Sequence, residues 1–433
     1  MTSRTTCHIA RVLLLILTTL GRVSAQTPQD ATTTKPDEES APVAVHSNQQ
    51  PLRTMTLTLS LFGAGADDTA PGAVSGTRPA TGYHDDANAL LTYAARGQRS
   101  AVGVSVQSVV RYDPARGDLG TVLDQGTFDF SMTGARTRLR MTQSLTYSPS
   151  YQFGALSDTT DASGSAQANT AQAHADYANA GLAAYASATG VDFTQALSRR
   201  ATLSVFYTGR HTAFPGFDSG FTSQAIGFRV THRFSQNVSL HTGYGYQVGG
   251  GITPDKTLRT HDLDIGIDYG RALTLSKDTT VSFGTGSSVL TEGGLTYRLS
   301  GDASLTRRFG RTGHARLTYR RGVRLLEGFA APVMFDTVDA GLTGSLGRRV
   351  ALSSSAGLTS GTLGTTKTAG SFSTINGTAG LHVTLSRRAA FDAQYFYYRQ
   401  RAADIAMLPP GLAGALNRQG LRAGITWGAP LLR

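Results

Sequence analysis

The chain contains a single cysteine, only four lysines and no long uninterrupted apolar run. Cys7 lies near the start, so the remainder has no thiol, which excludes a disulfide framework, a Cys-ligated metal and a cysteine nucleophile. A helix that spans a bilayer needs about 20 mostly apolar residues, and no segment supplies them. This absence does not exclude a membrane protein that crosses the bilayer with β-strands, because alternating strands give only a weak hydropathy signal.

The first residues have the pattern of an export signal. Arg4 and Arg11 supply positive charge, Val12 to Leu20 form a short apolar stretch, and Val23-Ser24-Ala25 offers a small-residue cleavage site. The next stretch is rich in Thr, Pro, Gln and acidic residues and has few large apolar ones, which is typical of disorder. We therefore expect a signal peptide over 1–25, a disordered periplasmic leader over 26–52 and the folded region over 53–433.

Basic residues outnumber acidic ones, and the formal net charge is +11. Nearly every basic residue is arginine. Two interpretations stay open: a basic surface or lumen that attracts anions, or a plain compositional preference for arginine. The sequence has no recognisable nucleic-acid motif, and an exported chain rarely meets cytoplasmic nucleic acid, so we expect no nucleic-acid partner.

A short basic turn recurs between longer segments of alternating polarity: Leu197-Ser198-Arg199-Arg200, Leu346-Gly347-Arg348-Arg349 and Leu385-Ser386-Arg387-Arg388. The segments have a period of two. Leu57, Leu59 and Leu61 alternate with Thr56, Thr58 and Ser60, for example. This period places the two sets on opposite faces of a strand. The repeated order of a long segment, a short turn and another long segment predicts a meander of antiparallel hairpins.

The predicted connections are unequal at the two ends of the strands. Short ones lie near 96–99, 133–136, 198–200, 235–237, 276–278, 311–313, 347–349 and 386–388, and longer ones near 64–82, 111–122, 148–178, 212–219, 249–257, 326–333, 359–370 and 402–416. Outer-membrane barrels have short periplasmic turns and long external loops. We predict an all-β fold, a transmembrane antiparallel up-and-down β-barrel of about 18 strands. A barrel of 16 strands is the alternative, because segment 54–62 or hairpin 281–299 could be miscounted.

The polar face of the predicted strands carries charges of both signs. Predicted lumen-lining residues are Arg138, Arg140, Arg229, Arg233, Arg298, Arg308, Arg316, Arg320, Arg324, Asp262, Asp264 and Asp268. Charged side chains are incompatible with a dry core unless they are paired, so a water-filled interior is expected. They could guide anionic or polar solutes, or pair across the lumen and stiffen the wall. The long 148–178 segment could narrow the pore or form a surface loop.

Aromatic side chains recur near predicted strand ends. Tyr147, Tyr395, Tyr397 and Trp427 are predicted to form an aromatic girdle at the membrane interfaces. A strip on which sugars stack is the alternative for the cluster Tyr395 to Tyr398.

The sequence favours no catalytic function. Gly-x-Ser-x-Gly, His-Glu-x-x-His and the phosphate-binding Gly-x-x-x-x-Gly-Lys motif are all lacking. His261 and Asp262 are adjacent, but alternation directs them to opposite faces. We predict no enzyme activity, no metal site and no cofactor.

Two stretches near the end, 391–399 and 417–427, resemble porin-like β-barrel proteins of the Gram-negative outer membrane. Some proteins of that kind accompany exopolysaccharide export. The resemblance implies an outer-membrane location and the passage or export of polar solutes. The partners that we expect for such a barrel are outer-membrane lipids and lipopolysaccharide, the barrel-insertion machinery, small polar solutes or polysaccharide, and a second copy of the chain. A channel for small polar or anionic solutes is the first functional hypothesis. A non-channel structural or assembly barrel of an export system is the second, and a soluble secreted β-sandwich is the third.

Overall fold

The computed structural model describes residues 52–68, 82–115, 117–149, 183–215, 220–250, 257–272, 278–290, 296–310, 312–325, 332–364, 370–403 and 414–432. The predicted signal peptide, the leader before Leu52 and nearly all of the 148–178 segment lie outside the described residues.

The described residues form eighteen strands. Their bounds are β1 Leu52–Asp68, β2 Gly82–Arg96, β3 Ser100–Asp113, β4 Asp118–Thr133, β5 Thr137–Ser148, β6 Ala184–Ala196, β7 Ala201–Ala213, β8 Phe221–Arg233, β9 Val238–Gly250, β10 Thr257–Ala272, β11 Thr279–Leu290, β12 Thr296–Phe309, β13 Gly313–Leu325, β14 Pro332–Leu346, β15 Val350–Leu363, β16 Ser371–Thr384, β17 Ala389–Ala403 and β18 Ala415–Leu432. Among the described residues, no helix has the length and apolarity that crossing a bilayer requires.

All eighteen strands belong to one closed antiparallel sheet. Each strand pairs with its neighbours in chain order, and the circle closes because β1 pairs with both β2 and β18. The predicted up-and-down barrel of about 18 strands is confirmed. The 16-strand alternative is wrong, since segment 54–62 lies within β1 and hairpin 281–299 is formed by β11 and β12.

Serine hydroxyls shape the short turns at one end of the barrel. The Ser386 Oγ accepts hydrogen bonds from the backbone N–H groups of Arg388 and Ala389, at 3.2 and 3.0 Å. Ser198 and Ser235 accept the same pair of bonds in their own turns. The serine therefore replaces part of the backbone pairing that is lost where the strand reverses, which explains its recurrence in the sequence motif.

One predicted long connection is wrong. Segment 111–122 consists mostly of strand, because β3 continues to Asp113 and β4 begins at Asp118. The Gly117 N–H donates to the Asp113 backbone oxygen at 2.9 Å, and Gly117 adopts a φ of 67°. Aspartate at the start of a turn and glycine at a left-handed position permit a tight reversal, so a short turn replaces the expected loop.

Candidate functional site: the inner face of the barrel

The two faces of the barrel differ in chemistry. Large apolar side chains of one face are highly exposed, with Leu61 at 68%, Ile265 at 66% and Leu299 at 70%. The register carries this face continuously from strand to strand, and the opposite face holds Ser60, Asp86 and Arg422, which are nearly fully enclosed. We call the first the outer face and the second the inner face. A closed barrel with an outer apolar band satisfies every requirement for crossing an outer membrane with strands, so this chain is an outer-membrane β-barrel.

The predicted basic residues with described side chains lie on the inner face. The register places Arg138 opposite Thr194, Arg140 opposite Asp192, Arg229 opposite Gly243, Arg233 opposite Ser239, Arg298 opposite Ser288, Arg308 opposite His314, Arg316 opposite Thr306 and Arg320 opposite Asp302. Asp262 pairs with Gly245 on the same face. Asp264, Asp268 and Arg324 occupy inner-face register positions, and their side chains lie outside the described part of the structure.

Arginines of β12 and β13 form a line along the inner face. Arg316 and Arg320 are separated by four residues on β13, with Arg308 and Arg298 on the adjacent strand. Four residues of a strand span about 13 Å. We call the end of the barrel with the short turns the turn end and the end with the longer connections the loop end. These four residues place positive charge at successive heights between the two ends, and we call them the arginine ladder.

Oppositely charged side chains accompany the inner-face arginines. The Arg140 Nη2 lies 3.6 Å from the Asp129 Oδ1, and both side chains are about half exposed. Arg320 stands directly across from Asp302 on β12. An exposed pair of this kind contributes little to stability, so its main effect is to reduce the local positive potential.

A buried polar cluster occupies the inner face of β2 and β3 near the loop end. Asp86, 2% exposed, accepts two hydrogen bonds from Arg111, at 2.7 and 2.9 Å. The His84 Nε2 lies 3.7 Å from the same carboxylate, and Gln107 donates to Asn88 at 3.0 Å. The two parallel bonds hold the guanidinium and the carboxylate in a fixed geometry. This cluster was not among the predicted sites, because its members are separated by turns in the sequence.

A second polar group joins β16, β17, β18 and β1. The His382 Nδ1 lies 2.7 Å from the Asp392 Oδ1, and Thr426 donates to the other carboxylate oxygen at 2.9 Å. Thr426 is also 3.2 Å from Ser60 across the β1–β18 seam. His382 and Asp392 stand directly opposite each other because they are almost equally distant from the Ser386 turn. This hairpin symmetry is a sequence signal that could have identified the pair. His261, in contrast, bonds Tyr244 on the outer face, away from Asp262.

Phenylalanines of the inner face lie over glycines of the adjacent strand. The directly opposed pairs are Phe62 with Gly424, Phe206 with Gly227, Phe335 with Gly322, Phe372 with Gly361 and Phe396 with Gly420. A methyl group added to Gly420 would come within 2.4 Å of the Phe396 ring. Each ring therefore occupies the space that the missing side chain leaves and lies along the wall.

The loop end and the turn end of the inner face differ in exposure. Several inner-face side chains between mid-height and the loop end are enclosed, including Phe396 at 1%, Tyr398 at 0% and Arg422 at 2%. Arg422 donates to Gln394 at 2.9 Å, and its guanidinium lies 5.9 Å from the Phe396 ring centre. Near the turn end, in contrast, Arg138, Arg308 and Arg316 are exposed. Enclosed side chains of the inner face are thus found from mid-height upward, and exposed arginines line it near the turn end.

The predicted girdle residues Tyr147, Tyr395, Tyr397 and Trp427 all occupy outer-face positions. Tyr147 contacts Tyr185, with ring centres 4.8 Å apart near the loop end, and Trp427 lies near the turn end. Tyr395 lies near the middle of β17. Phe396 and Tyr398, from the same aromatic cluster, point to the inner face and pack with Leu416.

Within the described ranges, no group of three or more His, Cys, Asp or Glu side chains is arranged to hold a metal ion.

No protein-family model matches the chain, and its sequence matches no curated protein. Solved outer-membrane barrels are similar in backbone arrangement. OccK2 (OpdF) of Pseudomonas aeruginosa, in complex with glucuronate, has a TM-score of 0.45 and 10% identity, covering 88% of this chain and 98% of its own. OpdO of the same organism gives 0.44 and 11%, covering 88% and 97%. A loop-deletion mutant of OmpT, an outer-membrane protein of Vibrio cholerae, gives 0.37 and 10%, covering 88% and 99%.

Proposed function

We propose that this barrel is a porin-like channel through which small polar solutes, anions in particular, diffuse passively. The observation that carries the proposal is the arginine ladder on the inner face of β12 and β13. A barrel of 16–18 strands is wide enough to hold an aqueous channel, and charged side chains that line such a channel select among ions. Arg138, Arg140, Arg229 and Arg233 add positive charge elsewhere on the lining.

The acidic side chains of the lining moderate this preference. Asp129, 3.6 Å from Arg140, and Asp302, opposite Arg320, neutralise part of the field. We therefore expect a modest preference for anions over cations. The chemistry of this lining supports passage of solutes, and we propose no catalytic role for it. Contacts with lipopolysaccharide, with the insertion machinery or with a second copy remain predictions.

Single-channel recording in planar bilayers tests the proposal, with the reversal potential measured in a potassium chloride gradient. The wild-type protein should conduct and favour chloride. The double variant R316Q/R320Q should show a smaller preference for chloride, because two of the four ladder charges are removed. The control R307Q/R321Q removes the same amount of charge from outer-face positions on the same two strands. This control should retain the preference for chloride. Equal permeability to chloride and potassium in the wild-type protein would contradict the anion preference.

A non-channel structural or assembly barrel is the second candidate, and the enclosed side chains of the inner face favour it. Tyr398, Arg422 and Asp86 are enclosed although they lie on the inner face of a wide barrel. A covered interior would block passage and leave a scaffold, for example in polysaccharide export. Lack of conductance from correctly folded protein would support this candidate and exclude the channel.

A further inference from the structure

Paired arginines project from neighbouring turns at the turn end of the barrel. Arg348 and Arg349 lie between β14 and β15, and Arg387 and Arg388 lie between β16 and β17. All four are exposed. Neither aspartate nor glutamate occurs anywhere between Ala340 and Phe391, so the charge of these turns has no acidic counterpart nearby in sequence. We call these four residues the arginine rim.

The two turns are side by side. Strands β14, β15, β16 and β17 are hydrogen-bonded in that order. Adjacent strands are about 4.8 Å apart, which separates the two turns by roughly 10 Å along the barrel edge. Four guanidinium groups are therefore concentrated within a short arc, and each presents a planar fork of donors that matches a phosphate.

Exposed leucines fix the height of the arginine rim relative to the membrane. Leu346 and Leu385 are the last apolar side chains before the two turns, and they are 64% and 54% exposed. Leu346 occupies an outer-face position at the end of β14, and Leu385, the residue directly after β16, continues the outer-face alternation of that strand. Each arginine pair begins two residues after its leucine. Because the outer-face leucines belong to the apolar band, the arginines stand just beyond it, at the level of the lipid headgroups.

The backbone of the turns holds the arginines in place. Ser386 accepts hydrogen bonds from two backbone N–H groups, and Gly347 adopts a φ of 74°, which favours glycine. The same arrangement of leucine, serine and two arginines recurs at Leu197 to Arg200, where Leu197 is 52% exposed. The recurrence indicates that leucine and arginines act together at each of these turns.

We propose that the arginine rim binds the phosphate groups of anionic phospholipids in the leaflet at the turn end. Apolar contact by Leu346 and Leu385 with the acyl region and charge pairing by the arginines with the headgroup suit a lipid. A soluble anion would use the charge alone. Basic residues at a membrane surface attract anionic lipids in this way. The proposal does not depend on whether the barrel conducts.

Native mass spectrometry of the detergent-purified barrel, supplied with phosphatidylglycerol or phosphatidylcholine, tests the proposal. The wild-type protein should retain phosphatidylglycerol in preference to phosphatidylcholine. The variant R348Q/R349Q/R387Q/R388Q should bind phosphatidylglycerol at least about tenfold more weakly. The lysine variant of the same four positions should retain part of the binding. A heat-dependent shift in gel mobility checks that every variant is folded.

A control variant removes equal charge from the inner face, at Arg138, Arg140, Arg229 and Arg316. It should bind phosphatidylglycerol as the wild-type protein does, because its outer surface is unchanged. Equal losses in the two glutamine variants would mean that net charge, and not the arginine rim, governs binding. Unchanged binding by the rim variant would also overturn the assignment.

Discussion

At the residue scale, charged groups of this barrel divide into enclosed pairs and exposed pairs. Asp86 and Arg111 are joined by two hydrogen bonds, with the side chains 2% and 18% exposed. Asp129 and Arg140 are 3.6 Å apart and 44% and 59% exposed. The same chemical pairing therefore has different energetic weight at the two sites, since enclosure removes the water that would otherwise solvate a separated charge.

Asp86→Asn tests this difference. The variant leaves the Arg111 charge without its carboxylate, and breaking an enclosed pair costs about 3–5 kcal/mol. We expect a loss of that order in the free energy of unfolding, measured by urea titration in lipid vesicles with the fluorescence of Trp427, the only tryptophan. Asp129→Asn is the control and should change stability by about 1 kcal/mol or less. Equal effects would show that enclosure at Asp86 is unimportant.

At the element scale, adjacent strands pack against each other where a phenylalanine of one strand stands opposite a glycine of the next. Five inner-face phenylalanines each stand opposite a glycine. Glycine weakens an isolated strand because it has no side chain to pack, and the opposing ring restores that contact. The many glycines of the chain are therefore in part a packing feature of the wall.

Gly420→Ala should destabilise the β17–β18 pair. The added methyl group would meet Phe396 at 2.4 Å, and forcing the ring away costs about 1–3 kcal/mol. Gly428→Ala in the same strand is the control, because no atom lies within 4 Å of the added group. Thermal loss of the compact form on gels should occur at lower temperature for the first variant only. Matching curves for the two variants would contradict the packing role.

Sequence patterns predicted the strands and their faces well. Alternation at Leu57, Leu59 and Leu61 and the repeated Ser-Arg-Arg turns together predicted the number of strands and the face that each residue occupies, because a period of two leaves little freedom once one face is apolar. Local patterns could not reveal the Asp86–Arg111 or Phe396–Gly420 contacts. Such contacts depend on which residues stand opposite each other across a turn, and an error of one residue in the turn exchanges the partners.

At the scale of the whole molecule, closure of the sheet is the decisive feature. The β1–β18 seam joins the first and last of the described strands, so each of the eighteen has two neighbours and none of them leaves an open edge. Ser60 and Thr426 stand opposite each other across the seam, with their oxygens 3.2 Å apart. Backbone groups of a membrane-spanning strand need partners within the protein, so the seam is required for the barrel to exist in lipid.

The double variant S60C/T426C tests closure directly. Opposed positions on neighbouring strands have the Cα separation that a disulfide requires, and Cys7, the only native cysteine, lies within the predicted signal peptide. Oxidation of the folded protein should join residues that are 366 positions apart and give a chain that migrates differently after boiling without reductant. The control S60C/T384C places the second cysteine three strands from β1, roughly 14 Å away. Absence of the crosslink at the seam in folded protein would contradict the closed barrel, because only closure brings the two ends of the sheet together.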